Sequence, residues 1–310
     1  MIIVANENRP DLASGLDKKT IAGAATLVGP QIFPPMIVGE KTSTIQVAKV
    51  NRGGGVKNRT KGQNLTGTRV ESIPMQYTVN SYEGRDILSD IDVKDAGGLD
   101  NALAAGARGA AWDAFKLYET DCHDAVSGAF ADAGNTYTAH EIASAAPFDA
   151  LAQAAQEVKD YGKPYLVASE TFIRQFVKFP KVQEVLTDLF AHNWFKDIRD
   201  VGVVNRALGL AFSTDAVIIG DDNFWTDADA AYVVAVREEA KTDPRNVLKR
   251  LPSLGATIQV LPEENSTPEQ PFQVSTVYLA EQKDSAVDVD YFAVPAVANV
   301  KAVAKVTLPA

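Results

Sequence analysis

A proline-free, alanine-rich stretch from Leu99 to Gly128 constrains this chain more than any other feature. Leu103, Trp112, Phe115, Leu117, Tyr118 and Val126 are spread through it, and the composition predicts a single helix over 99–128. Asp95 or Asp100 can cap its start, and Gly128 stands where a C-cap glycine belongs. About thirty residues at ~1.5 Å each make a rod of roughly 45 Å, against a mean helix of about 11–12 residues. Gly106 and Gly109 cost roughly 1 kcal/mol each in helix propensity. Either another backbone approaches closely there, or a well-packed helix tolerates them.

Before the rod, the pattern changes period. Residues 1–36 are polar and proline-punctuated, and read as an arm laid over a surface rather than a packed element. "TIQVAKV" (44–50) alternates apolar and polar side chains as a half-buried strand does, and "TRVESIPMQYTVN" (68–80) is a second β-prone run. Between them lies "NRGGGVKNRTKG". Its glycines lack the Gly-x4-Gly-Lys-Ser/Thr spacing, and no helix follows, so no dipole is available to hold a phosphate. The three glycines and the charges suit a solvated hairpin tip.

Charge sharpens that reading. Lys41, Lys49, Arg52, Lys57, Arg59, Lys61 and Arg69 fall within residues 41–70, which hold no acid; the chain carries −10, so the remainder carries −17. An acidic body with one basic extension is built to attach to a copy of itself, or to touch nucleic acid with that extension. The overall charge excludes a general nucleic-acid binder. At 46% hydrophobic and 23% charged residues the chain is not disordered.

After the rod comes a mixed α/β region. It shows an amphipathic helix near 148–160, a strand "PYLVAS", Ser169 as N-cap of "ETFIRQFVK", and a helix after Pro180. Strand-like runs recur at 216–220, 231–236 and 256–261. "LPEENSTPEQP" reads as a loop, and the end of the chain reads as long strands with a turn at 283–285.

The residues carry no recognisable catalytic or metal pattern. Cys122 and His123 are neighbours on a helix, so their side chains diverge by about 100° and cannot form a dyad. The expectation is a core cysteine beside a surface histidine. His140 and His192 lack a metal-spaced partner. "DDNFWTDAD" (221–229) fails as an EF-hand, with Thr226 at the glycine position and Tyr232 at the glutamate position, and reads as a solvated acidic loop. No cofactor and no metal are expected. A single cysteine excludes an internal disulfide and favours a reducing compartment. The start of the chain is not a secretory signal, and no run reaches the roughly 18 apolar residues of a membrane span.

The order of these parts resembles the major capsid proteins of tailed double-stranded DNA bacteriophages, with the Hong Kong 97-type fold. The residues that carry the likeness are Tyr82, Arg85, Ile87, Ser89, Asp92, Val93, Asp95 and Ala96 leading into the long helix, then Leu117 and Glu119 within it. "YLVASETFIRQFVKFPKV" is similar to the passage that opens the family's axial domain. The resemblance implies an α+β fold: an N-terminal arm (1–39), an extended loop (40–76), a peripheral domain (77–145) with a spine helix (99–128), an axial domain (146–275), and C-terminal strands (276–310) returning to the peripheral domain. It implies a structural protein, not an enzyme, that assembles into hexamers and pentamers of an icosahedral shell around DNA. The seven basic residues named above would contact the neighbouring subunit.

Further implied partners are a separate scaffold protein, a portal, and a cement protein on the shell; no membrane is involved. The shell would be assembled in the host bacterial cytoplasm. Lys57 or Lys61 could crosslink to Asn299, although no motif supports that chemistry. An encapsulin-type compartment packaging an enzyme is the alternative within the fold. A soluble α/β enzyme and a DNA-binding protein are the alternatives outside it.

Overall fold

The computed structural model describes residues 3–16, 27–48, 72–132, 138–184, 217–262, 270–279 and 284–309. β1 (Ile3–Asn8), α1 (Pro10–Ser14), α2 (Gly29–Ile32) and β2 (Pro35–Val38) open the chain. The hairpin strands β3 (Thr42–Ala48) and β4 (Ser72–Thr78) lead to β5 (Asn80–Leu88), α3 (Asp90–Asp95) and α4 (Leu99–Asp132). Next come β6 (His140–Glu141), α5 (Pro147–Val158), β7 (Lys163–Ser169), α6 (Glu170–Phe176), β8 (Val217–Gly220), β9 (Ala230–Val236) and α7 (Pro244–Arg250). β10 (Gly255–Val260), β11 (Phe272–Leu279), β12 (Asp284–Val297) and β13 (Val303–Thr307) follow.

Two sheets divide these strands. The first runs β1-β11-β12-β10-β2, with β5 on the opposite edge of the long β12. The second runs β6-β13-β9-β7-β8, and β3–β4 stand apart as a pair. α4 lies on the first sheet. Leu103, Ala107, Ala110, Ala111, Ala114, Phe115, Tyr118, Cys122 and Val126 recur at three- and four-residue steps and are buried, as one helix face on a sheet requires. Alanine on that face lets the backbones close up. The tightest point is Gly84 on β5, where an added Cβ would lie 1.8 Å from the Ala110 carbonyl oxygen.

The expected close approach thus falls on a strand glycine. Gly106 and Gly109 instead leave room for the Asp86 carboxylate and Leu88. Further along, Phe115, Tyr118, Tyr82, Phe272 and Tyr291 pack edge-on or tilted, with centroids 5.3–6.4 Å apart; such pairs are worth about 0.5–1.5 kcal/mol each beyond their buried area.

The helix passes through Gly128 to Asp132. Positive φ occurs, among the described glycines, at Gly97, Gly98 and Gly162, so Gly128 is not the C-cap. The glycine turn sits ahead of the rod, after α3. The capping box also belongs to α3: the Ser89 hydroxyl accepts from the Asp92 N–H, and the Asp92 carboxylate accepts from the Ser89 N–H.

In the second sheet, β9 is buried along its whole length, the mark of a strand covered on both faces. β7 is its antiparallel neighbour and β8 lies parallel to β7. α5 packs Leu151, Ala154 and Val158 inward. Ser169 caps α6 by accepting from the Phe172 N–H at 3.1 Å, and α6 ends at Phe176. Helical backbone resumes at 180–184.

The chain distributes itself differently from the sequence reading in further places. Residues 1–36 are not merely laid over a surface: β1 pairs antiparallel with β11, β2 pairs parallel with β10, and Leu16, Leu27, Val28, Ile32 and Phe33 are buried. Pro10 and Pro30 occupy the first turns of α1 and α2, and Pro35 the first residue of β2, positions that need no N–H donor. β10, assigned by sequence to 146–275, belongs to the first sheet, held by β12 and β2. β13 leaves β12 and joins the second sheet between β9 and β6, so the last strand does not return to the helix-bearing sheet, and β6 is not part of it either. Ser285 already pairs with Tyr278, so the link between β11 and β12 precedes residue 284; Val287, Val289, Tyr291 and Ala293 put the apolar alternation of β12 inward from there.

Candidate functional site

The hairpin is the element that stands apart from both sheets. Thr42 faces Thr78 and Ala48 faces Ser72 in an unbroken antiparallel register, and the Val79 N–H donates to the Lys41 carbonyl at 2.8 Å below it. Two strands alone are marginal in water. A separate small core supports this pair: Met36, Val38, Val47, Tyr77, Val79, Leu248, Ala256 and Ile258. α7 supplies Leu248 from beneath, and Pro74, opposite Gln46, is tolerated because a two-stranded ribbon is all edge.

Of the seven basic residues predicted to make contacts, Lys41 lies in the described structure. It is exposed, with its ammonium 3.9 Å from the Phe292 ring centroid on β12. That contact ties the hairpin root to the first sheet. Lys49, Arg52, Lys57, Arg59, Lys61 and Arg69 lie outside the described residues, as does the glycine run. The register sets Ala48 and Ser72, the residues that flank 49–71, opposite each other at the strand ends.

A second cluster, buried, sits where α4 meets the N-terminal segment. Glu119 is 1% exposed. Its carboxylate accepts from the Val28 N–H at 2.6 Å, the Gly29 N–H at 3.0 Å and the Trp225 indole N–H at 2.9 Å. Burial pushes its pKa up, and those three donors oppose the shift. One side chain therefore joins α4, the N-terminal segment and the 221–229 loop. The Cys122 thiol is buried against Gly29, and burial pushes its pKa well up, as in a core cysteine.

The 221–229 loop is more than a solvated acidic surface. Asp222 accepts from the Thr171 N–H and hydroxyl at the start of α6. Asp227 accepts from the Tyr232 hydroxyl at 2.6 Å and lies 3.1 Å from His123 Nε2. Burial acts to raise the pKa of Asp227, but those two hydrogen bonds and the charges of His123 and Lys305 bring it below the usual value. His123 is correspondingly inside, against Trp225 and Tyr232, and not on the surface as expected. His140 faces Glu157 at 3.1 Å, and His192 lies outside the described residues. No group of three metal-ligating side chains occurs among the described residues, and no described helix is long and apolar enough to cross a membrane.

What this arrangement does chemically is hold. Sequence reasoning missed that role for Glu119, Trp225 and Asp227, although one signal was present. Glu119 falls in step with Phe115, Tyr118, Cys122 and Val126, so an acid stands on the apolar stripe of the long helix.

No protein-family model and no curated protein matches the sequence. Solved structures do match in fold. A phage-related protein from Bordetella bronchiseptica RB50 superposes with a TM-score of 0.64 at 14% identity, covering 98% of each chain. The capsid protein of cyanophage P-SCSP1u gives 0.50 at 8% identity, over 91% of this chain and 88% of that one. The holo-SrpI encapsulin of Synechococcus elongatus PCC 7942 gives 0.51 at 11%, over 98% and 96%. The mixed α+β fold described above therefore matches the fold of these proteins over nine-tenths or more of this chain.

Proposed function

We propose that this chain is the major capsid protein of a tailed double-stranded DNA bacteriophage, assembling with copies of itself into a closed shell. The observation that carries the proposal is the likeness of fold over essentially the entire chain to a phage-related protein and to a phage capsid. In Hong Kong 97 terms, α4 and the first sheet take the part of the peripheral domain, the second sheet that of the axial domain, and residues 40–76 that of the extended loop. The six basic residues of 49–71, with Lys41 at the root, meet acidic surface on a neighbour. Hexamers and pentamers are the repeating units, DNA is the content, and scaffold, portal and cement proteins are the partners. The virion is the location, and no catalysis is assigned. Single surface ion pairs contribute roughly 0–1 kcal/mol, so the shell relies on many repeated contacts.

Negative-stain electron microscopy of the expressed chain, alone and with proteins encoded beside it, tests this. Uniform shells or tubes are expected, and discrete small oligomers under every condition would refute it. The encapsulin likeness keeps one second reading in play, a compartment that packages an enzyme. Recovery of a co-purifying protein cargo in place of DNA from particles made in the native host would favour it.

A further inference from the structure

We propose that the cleft at the root of the hairpin receives α3 of a second copy of this chain. The proposal rests on the shell reading above, because it requires copies that meet repeatedly. The cleft, of about 440 Å³, lies between β2, β3 and α7. Its walls are mixed: Ile45 and the edges of Met36, Tyr77 and Leu248 are apolar, Ser43, Thr44 and Gln46 are polar, and Arg245 and Lys249 stand beside them.

The local sequence explains the arrangement. Asp243 caps α7 by accepting from the Asn246 N–H, and Pro244 starts the helix. Leu248 then turns into the small core while Arg245 and Lys249, one helical turn apart, remain exposed. The Arg245 guanidinium donates to the Ile37 carbonyl at 3.1 Å, which fixes it over the edge strand β2. Among the described residues neither cation forms an ion pair. On a chain of charge −10, two cations without an ion pair beside a cleft of mixed polar and apolar walls mark a place for an acidic partner with one apolar side chain at its tip.

The same chain carries such a partner. Ile91 is 68% exposed, more than any other large apolar side chain among the described residues. It projects from α3 between exposed Asp90, Asp92 and Asp95. The capping box at Ser89 starts that helix, and the turn at Gly97–Gly98 follows its end. Even the minority charges match, with Glu40 at the cleft and Lys94 on α3. Within one copy α3 packs on α4 and β5, whereas α7 packs on β2 and β3. Knob and cleft are different surfaces, so the contact is head-to-tail, the kind that closes rings.

Ile91→Cys and Gln46→Cys, introduced together in the full-length chain, test the contact. Both positions are exposed, and the native Cys122 is buried. After oxidation, a non-reducing gel should show a ladder of covalent dimers, trimers and higher multiples, whereas either single variant can give dimers at most. No ladder would overturn the proposal. Electron microscopy of the wild type separates the two ideas: shells without a ladder sink this contact and leave the shell reading standing. In a second arm, Arg245→Glu with Lys249→Glu, or Asp90→Lys with Asp95→Lys, should slow assembly at least tenfold, and all four changes together should restore it. Failure of the combination to restore assembly would overturn the charge matching.

Discussion

The α4–sheet interface and the hairpin root are both anchored, but in opposite ways. Along α4, contact is continuous: Gly84 admits the Ala110 carbonyl, five aromatic rings interlock, and Glu119 satisfies three N–H groups. At the hairpin, two strands rest on a separate core of eight buried residues, and one exposed lysine lies over a ring. The first region is complete within one copy. The second is a pair of strands outside both sheets, held by its own small core. Stability and assembly should therefore respond to different residues.

The largest effect is expected at Gly84. Alanine there places a Cβ 1.8 Å from a carbonyl oxygen on the helix, so Gly84→Ala should cost about 3 kcal/mol or more. Urea unfolding would measure it, and a change below about 1 kcal/mol would break the claim of a saturated interface. Glu119→Ala comes next. It leaves three buried N–H groups without their acceptor, and after local relaxation should cost about 1–3 kcal/mol in total.

The pH response of Glu119 has a definite sign. Because its pKa is raised in the fold, the folded state holds that proton more tightly than the unfolded chain does. Its contribution is fullest below the usual glutamate value of 4.5 and is lost as pH rises through the folded value. Glu119→Gln should remove this trend: from pH 4.5 upward the wild-type urea midpoint should fall relative to the Gln variant. A parallel course for the two proteins would contradict it. Trp225→Phe removes one of the three donors and should cost about 1–2 kcal/mol. Lys41→Ala should shift the thermal midpoint least, by the equivalent of about 0.5–1 kcal/mol for an exposed cation–π contact.

The same comparison explains what the sequence made legible. The rod, the strands flanking the basic segment, Ser169 as a cap and β7 to β10 are local patterns, readable from period and capping chemistry. The N-terminal strands were not, because their partners β11 and β10 lie more than two hundred residues away. Their prolines also look the same in an arm as in the first turn of a helix. The destination of β13 was hidden for the same reason: an apolar run does not say which sheet it will complete. Glu119 could be picked out from a sequence resemblance, but its three donors come from residues 28, 29 and 225. Only the fold brings them together.

The most direct test of the division between body and hairpin is one paired measurement on Lys57→Glu/Arg59→Glu/Lys61→Glu. Unfolding and particle formation would be followed on the same preparations as the wild type. Thermal midpoints within a degree or two, with shells from the wild type and only free subunits from the variant, are the predicted result. A variant that assembles like the wild type, or that unfolds well before it, would contradict the account.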